Sequence, residues 1–154
     1  VAFSSKEGRR LFREAVAEGH MENYFIVSEQ LLTQDEPTNC GRAALATALN
    51  ALQIDPMRTW KGAWRWFDED NLGDCGCSGR HRSAGAEALT FDAFACLSRR
   101  NGASASALRA PHRGVADCGG AFGAAFREVV RATSASSGRE CVVVSLCREA
   151  LGQS

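Results

Sequence analysis

The 154-residue sequence predicts an α+β fold in which helices come first and a strand region begins only near the end. Three observations predict it. Apolar residues recur at helical spacing in four stretches within residues 4–131. Residues 141–147, Cys-Val-Val-Val-Ser-Leu-Cys, are apolar apart from Ser145 and have the β-branched content of a buried strand. A lone strand has no ladder partner, so the sheet is expected to continue beyond Ser154.

In chain order, Ser4 and Glu7 have the spacing of a capping box. Leu11, Phe12, Ala15 and Val16 then form a helical stripe that Gly19 is expected to stop. Tyr24-Phe25-Ile26-Val27 is a mixed stretch without a clear period, and residues 33–39 are a polar run. From Cys40 the pattern is helical again, with Ala44, Leu45, Ala48, Leu49 and Leu52 on one face. Thr38 or Asn39 is its natural cap and Pro56 its boundary. Residues 60–67 hold all three tryptophans, and 73–85 read as a glycine-rich polar loop. A third helix is expected over 90–100, with Phe91, Phe94, Ala95 and Leu97 inward and Asn101-Gly102 ending it. A fourth spans 120–131, where Phe122, Phe126, Val129 and Val130 share a face, and 134–138 is a loop. No internal repeat or domain linker interrupts this order.

Composition excludes several classes of function. Hydrophobic residues at 45% and charged residues at 23% are ordinary globular values. Eighteen basic residues balance eighteen acidic ones, so the chain as a whole carries no basic footprint for nucleic acid. No apolar run approaches the roughly 20 residues of a membrane span. The start has neither the apolar core of a secretory signal nor an initiator methionine, so Val1 is not expected to be the first residue of the gene product. Seven cysteines, an odd number, fit reduced thiols and a cytoplasmic setting better than a secreted disulfide scaffold.

The chemistry concentrates at Cys40. Unpaired N–H groups and the dipole at a helix N-terminus favour a thiolate, which makes Cys40 the best nucleophile of the seven cysteines. Gln34 lies six residues upstream on the polar run, and its amide with the Cys40 backbone N–H could hold an oxyanion during acyl transfer. The alternative is an ordinary buried cysteine at a helix start. This Gln-to-Cys spacing before a Cys-Gly helix start resembles that of papain-like cysteine peptidases.

Three blocks together are more specific: Thr33-Gln34-Asp35-Glu36-Pro37-Thr38-Asn39-Cys40-Gly41, Leu49-Asn50-Ala51-Leu52-Gln53-Ile54-Asp55-Pro56, and Trp60-Lys61-Gly62-Ala63-Trp64-Arg65-Trp66-Phe67. They closely resemble phytochelatin synthases, the glutathione γ-glutamylcysteinyltransferases. The likeness extends to Phe3-Ser4-Ser5-Lys6-Glu7-Gly8, to Cys96 with Asn101-Gly102-Ala103, and to Ser145, Arg148, Leu151, Gly152 and Gln153. It implies a papain-like cysteine peptidase fold, here the helical N-terminal half plus the first strand or strands of the β half. Residues 1–154 would then be a partial catalytic domain lacking its C-terminal part. The implied reaction is attack of Cys40 on the Cys–Gly bond of glutathione with loss of glycine, Gln34 holding the oxyanion. A second glutathione or a growing phytochelatin then accepts the acyl group. Heavy metal, cadmium above all and also zinc or copper, is implied as activator and as metal–glutathione substrate in heavy-metal detoxification. The family further implies a homodimer of the full-length protein.

By the same resemblance, Trp64 lines or braces the substrate cleft and Arg148 meets a glutathione carboxylate. Against these stand packing, for at least two of the three tryptophans, and a solvated strand-end charge. Cys75, Cys77 and His81 form a C-x-C-x3-H cluster with soft-metal donors, although its spacing offers no fourth ligand. His20 and His112 are read as solvent-side residues, and Cys118, Cys141 and Cys147 as fillers. The chain departs from the family in one respect: it stops at Gly152-Gln153-Ser154, just before the Gly-X-Gly-His-Phe-Ser-Pro motif that carries the base. His20, His81 and His112 match no such position, and the orienting aspartate is missing too. The polypeptide is therefore expected to be inactive or nearly so alone. The alternatives are a non-catalytic, thiol-rich metal-binding remnant and a peptidase that hydrolyses glutathione or its conjugates.

Overall fold

The computed structural model describes residues 1–73, 89–111, 118–138 and 140–146, and of Cys118 and Gly119 the helical backbone alone. The first helix, α1 (Lys6–Ala17), is capped by Ser5, whose Oγ accepts from the Gly8 N–H at 3.0 Å. The capping box expected from Ser4 and Glu7 therefore does not form. The Glu7 carboxylate takes two bonds from the Arg10 guanidinium instead, at 3.0 and 2.8 Å. A paired guanidinium is a stronger donor than one backbone N–H, and it holds the exposed Glu7 carboxyl below its ordinary range.

As expected, α1 stops at Gly19, which has φ 75°. The Gly19 N–H donates to Val16 O at 3.2 Å and the His20 N–H to Ala15 O at 2.8 Å, the paired bonds of a Schellman motif. The mixed stretch after it forms a short helix, α2 (Glu22–Ser28). Edge-to-face packing of Phe12 on Tyr24, with ring centroids 5.2 Å apart, joins it to α1.

The central helix is α3 (Cys40–Ala51). Its Leu45, Ala46 and Leu49 meet Phe67, Leu72 and Leu97 in the core. Pro56 does not end it. A second Schellman motif does, with Gln53 at φ 55° donating to Asn50 O at 2.9 Å and Ile54 donating to Leu49 O at 3.1 Å. Ile54 then packs against the core, which offsets the cost of a non-glycine residue in the left-handed region. The buried Asn50 side chain brackets Phe67, donating to its carbonyl at 2.9 Å and accepting from its N–H at 3.0 Å. An amide thus does for Phe67 what a ladder partner would.

Helix α4 (Phe91–Arg100) starts where its sequence predicts, with Thr90 Oγ1 accepting from the Ala93 N–H at 3.2 Å. Asn101-Gly102 ends it, and the buried Asn101 amide donates to Leu72 O at 3.0 Å and Leu97 O at 2.9 Å. Helix α5 (Cys118–Ser134) is longer than the expected 120–131 and packs on α2, which also touches α3.

The β part of the expected fold is corrected. Among the described residues the β structure is a single isolated bridge between Lys61 and Trp64. Residues 141–146 are not in a β-strand, because a strand needs a ladder partner and none is described beside them. A side chain anchors this segment instead, Asn23 Nδ2 of α2 donating to Glu140 O at 2.7 Å. Among the described residues no helix is long and apolar enough to cross a membrane.

Candidate active site

Cys40 is the first residue of α3, and the polar run before it is tied down from behind. Glu69, only 4% exposed, accepts from Asn39 Nδ2 at 2.6 Å and from the Asp35 N–H at 3.2 Å. From the helix side, Arg42 donates through Nε to Glu69 O at 2.7 Å and through Nη2 to Gly73 O at 3.3 Å. Asn39 occupies the cap position the sequence expects, yet its side chain is drawn to Glu69 and makes no capping bond. The first turn of α3 thus keeps N–H groups that its N-cap side chain does not take up, at Cys40. The thiol of Cys40 is free and exposed.

Cys40 and Gln34 line one cleft of about 590 Å³, walled by α2, α3, the end of α5 and residues 141–144. Gln34 Nε2 donates to Glu36 O at 3.0 Å, which fixes the amide while using one of its two protons. The second proton is available to a developing oxyanion.

The structure does not bring every expected residue here. Trp64 is 76% exposed and is not a wall residue of this cleft. Trp60 and Trp66 are 40% and 41% exposed, so these two are partly covered rather than in the core. The segment closes a tight turn, with the Trp60 N–H on Trp64 O at 2.7 Å and the Trp64 N–H on Lys61 O at 3.0 Å. Phe67 and Leu72 already fill the adjoining core. Arg148, Cys147, His112 and the Cys75, Cys77 and His81 cluster lie outside the described residues. Among those described, no group of three or more His, Cys, Asp or Glu could hold a metal ion. Cys96 is disulfide-bonded, against the expectation of reduced thiols.

Two cleft residues were not legible as such. His20, read as solvent-side, is half-buried in the wall, and Cys141, read as a filler, lines it too. Burial pushes the Cys141 thiol up, with a smaller opposing effect from its hydrogen bond to Asn23. Cys141 is half-buried, whereas Cys40 is exposed. Neither residue has a local motif; only the return of 141–144 onto α2 reveals them.

A family model described as phytochelatin synthase matches residues 1–154. The chain belongs to the phytochelatin synthase family. It is 40% identical over 153 residues to glutathione gamma-glutamylcysteinyltransferase 3 of Lotus japonicus, covering 99% of this chain and 29% of the relative. It is 42% identical over 145 residues to glutathione gamma-glutamylcysteinyltransferase 1 of Triticum aestivum, covering 94% and 26%. The Schizosaccharomyces pombe glutathione gamma-glutamylcysteinyltransferase is 36% identical over 153 residues, covering 99% and 34%. The chain thus spans about a third or less of the length of these relatives. No solved structure matches it. The block from Thr33 to Gly41, on which the phytochelatin synthase resemblance first rests, is the segment that Glu69 ties down at Asp35 and Asn39.

Proposed function

We propose that this member of the phytochelatin synthase family acts on glutathione as a γ-glutamylcysteinyltransferase, with Cys40 as nucleophile and Gln34 as oxyanion donor. The observation that carries the reading is the cleft the two share, with Cys40 exposed at the uncapped start of α3. In this reading the helices are the nucleophile half of a papain-like fold. The Cys40 thiolate adds to the carbonyl carbon of the Cys–Gly amide. The resulting oxyanion accepts from the Gln34 amide and the Cys40 backbone N–H. The C–N bond then breaks, the glycine nitrogen gains the proton that Cys40 lost, and a γ-glutamylcysteinyl thioester remains. The α-amino nitrogen of a second glutathione attacks the thioester, forms the new peptide bond and gives up a proton as Cys40 leaves.

A heavy-metal thiolate of glutathione, with cadmium, zinc or copper, enters as substrate. The family's proton carrier is a histidine that His20, His81 and His112 do not match, so residues 1–154 alone acylate slowly and do not turn over. The test is intact-mass spectrometry of this polypeptide with glutathione, with and without cadmium. We expect one γ-glutamylcysteinyl adduct, absent in Cys40→Ser and about 100-fold slower to form in Gln34→Ala. An adduct that persists in Cys40→Ser overturns the assignment, and rapid phytochelatin release overturns the single slow turnover.

A further inference from the structure

Gly41, the second residue of α3, lies against Leu89, which directly precedes the Thr90 cap of α4. A Cβ on Gly41 would meet Leu89 Cβ at 2.9 Å, with Leu89 Cδ2 at 3.5 Å and Cγ at 3.7 Å. Carbon atoms in ordinary contact lie about 3.5–4.0 Å apart, so a methyl group at residue 41 forces a shift of roughly half an ångström. The nearest atom is also the one least able to give way, because a Cβ moves only with its backbone. That backbone is anchored just beyond Leu89, where Thr90 O accepts from the Phe94 N–H at 2.8 Å and Thr90 Oγ1 from the Ala93 N–H at 3.2 Å. The Leu89 side chain in turn packs against the core that holds Leu45, Leu49, Phe67 and Leu97.

The first turn of α3 is therefore gripped twice. Arg42 straps it to the carbonyls of Glu69 and Gly73, and Leu89 closes on Gly41. Neither Arg42 nor Leu89 lines the cleft, so both act on Cys40 through the backbone of its own helix. An oxyanion is stabilised only by donors about 2.7–3.1 Å from the place it occupies. A misplacement of about 1 Å costs on the order of 100-fold in rate. A shift of Gly41 is a shift of the peptide that joins it to Cys40, whose N–H is one of the two donors assigned above. We propose that Leu89 is a positioning residue of this site, setting the aim of the Cys40 N–H through its contact with Gly41. The inference rests on the glutathione reading above and gives Leu89 no contact with substrate.

Two rates measured on the 154-residue chain separate aim from fold. Formation of the γ-glutamylcysteinyl adduct with glutathione, followed by intact mass, passes through an oxyanion. Alkylation of the Cys40 peptide by iodoacetamide displaces iodide and builds none. We expect Gly41→Ala to slow adduct formation about tenfold or more and alkylation by no more than about twofold. Leu89→Gly removes the opposing Cβ, so adding Gly41→Ala to it slows adduct formation by no more than about twofold. Added to Leu89→Ala, which keeps that Cβ, Gly41→Ala retains its full effect. Adduct formation by Gly41→Ala as fast as by wild type overturns the inference. So does an equal fall in both rates, which reports a loosened fold, and so does a Gly41→Ala effect as large on Leu89→Gly as on wild type. Should circular dichroism show Leu89→Gly unfolded, the two rates of Gly41→Ala alone and on Leu89→Ala decide. A wild type whose Cys40 is alkylated but forms no adduct overturns the glutathione reading, and this inference with it.

Discussion

Glu69 offers the sharpest test of how the Cys40 segment is held. Its carboxylate joins two points of the run before Cys40, accepting from Asn39 Nδ2 at 2.6 Å and from the Asp35 N–H at 3.2 Å. Hydrogen bonds to a charged group contribute about 1.5–3 kcal/mol each. Glu69→Ala removes both, so the expected loss is about 3–6 kcal/mol, enough to threaten folding of a domain this size. Glu69→Gln is the informative variant. Its amide oxygen can still accept from Asn39, whereas its NH2 group turns a donor toward the Asp35 N–H. One bond is lost, for about 2 kcal/mol, which at 2–4 °C per kcal/mol lowers Tm by about 4–8 °C. The same variant loosens the Gln34–Cys40 segment, so alkylation of Cys40 should change in rate while that of Cys141, anchored to α2 instead, should not. Thermal unfolding followed by circular dichroism, paired with peptide-resolved alkylation, reads both effects. A Tm within about 1 °C of wild type together with unchanged Cys40 labelling would refute the clamp.

Two further outcomes follow from packing and burial. A Cβ on Gly8 would meet Ala2 O, and Phe3 O at 2.5 Å, so Gly8→Ala should destabilise by about 1–3 kcal/mol despite its better helix propensity. At Gly123 the nearest contact is the mobile end of Arg127 at 3.4 Å, so the same change should stabilise by up to about 1 kcal/mol. Urea unfolding distinguishes the two, and equal shifts would contradict the close approach at Gly8. The raised Cys141 thiol predicts a pH effect of definite sign. Unfolding returns the thiol to its ordinary range, where it ionises first, so stability is full below that range and falls as pH rises through it toward the folded value. Cys141→Ala should flatten that decline in a pH series of urea midpoints, and an unchanged slope would argue against a buried thiol there.

The helices were largely legible because their signals are local. Apolar spacing placed α1, α3, α4 and α5, and Gly19 and Asn101-Gly102 marked two of the stops. Short-range competition between donors was harder to read. Arg10 takes the Glu7 side chain that a capping box needs, and Glu69 takes the Asn39 side chain that would cap α3. The stop of α3 was misread because Pro56 is conspicuous and a glutamine in the left-handed region is not.

The place of Cys40 was evident from residue type and position, since a cysteine at a helix start after a polar run needs only local sequence to be recognised. Its surroundings were not. The bond from Glu69 to Asn39 spans 30 residues and the bond from Asn23 to Glu140 spans 117. No periodicity encodes such pairs, because they arise only when separate helices pack and bring distant polar atoms within reach. That packing turned His20 from a surface residue into a cleft wall and brought Cys141 beside it. Local sequence placed Cys40 at a helix start, and the docking of α2 against α3 and α5 built the cleft that it lines.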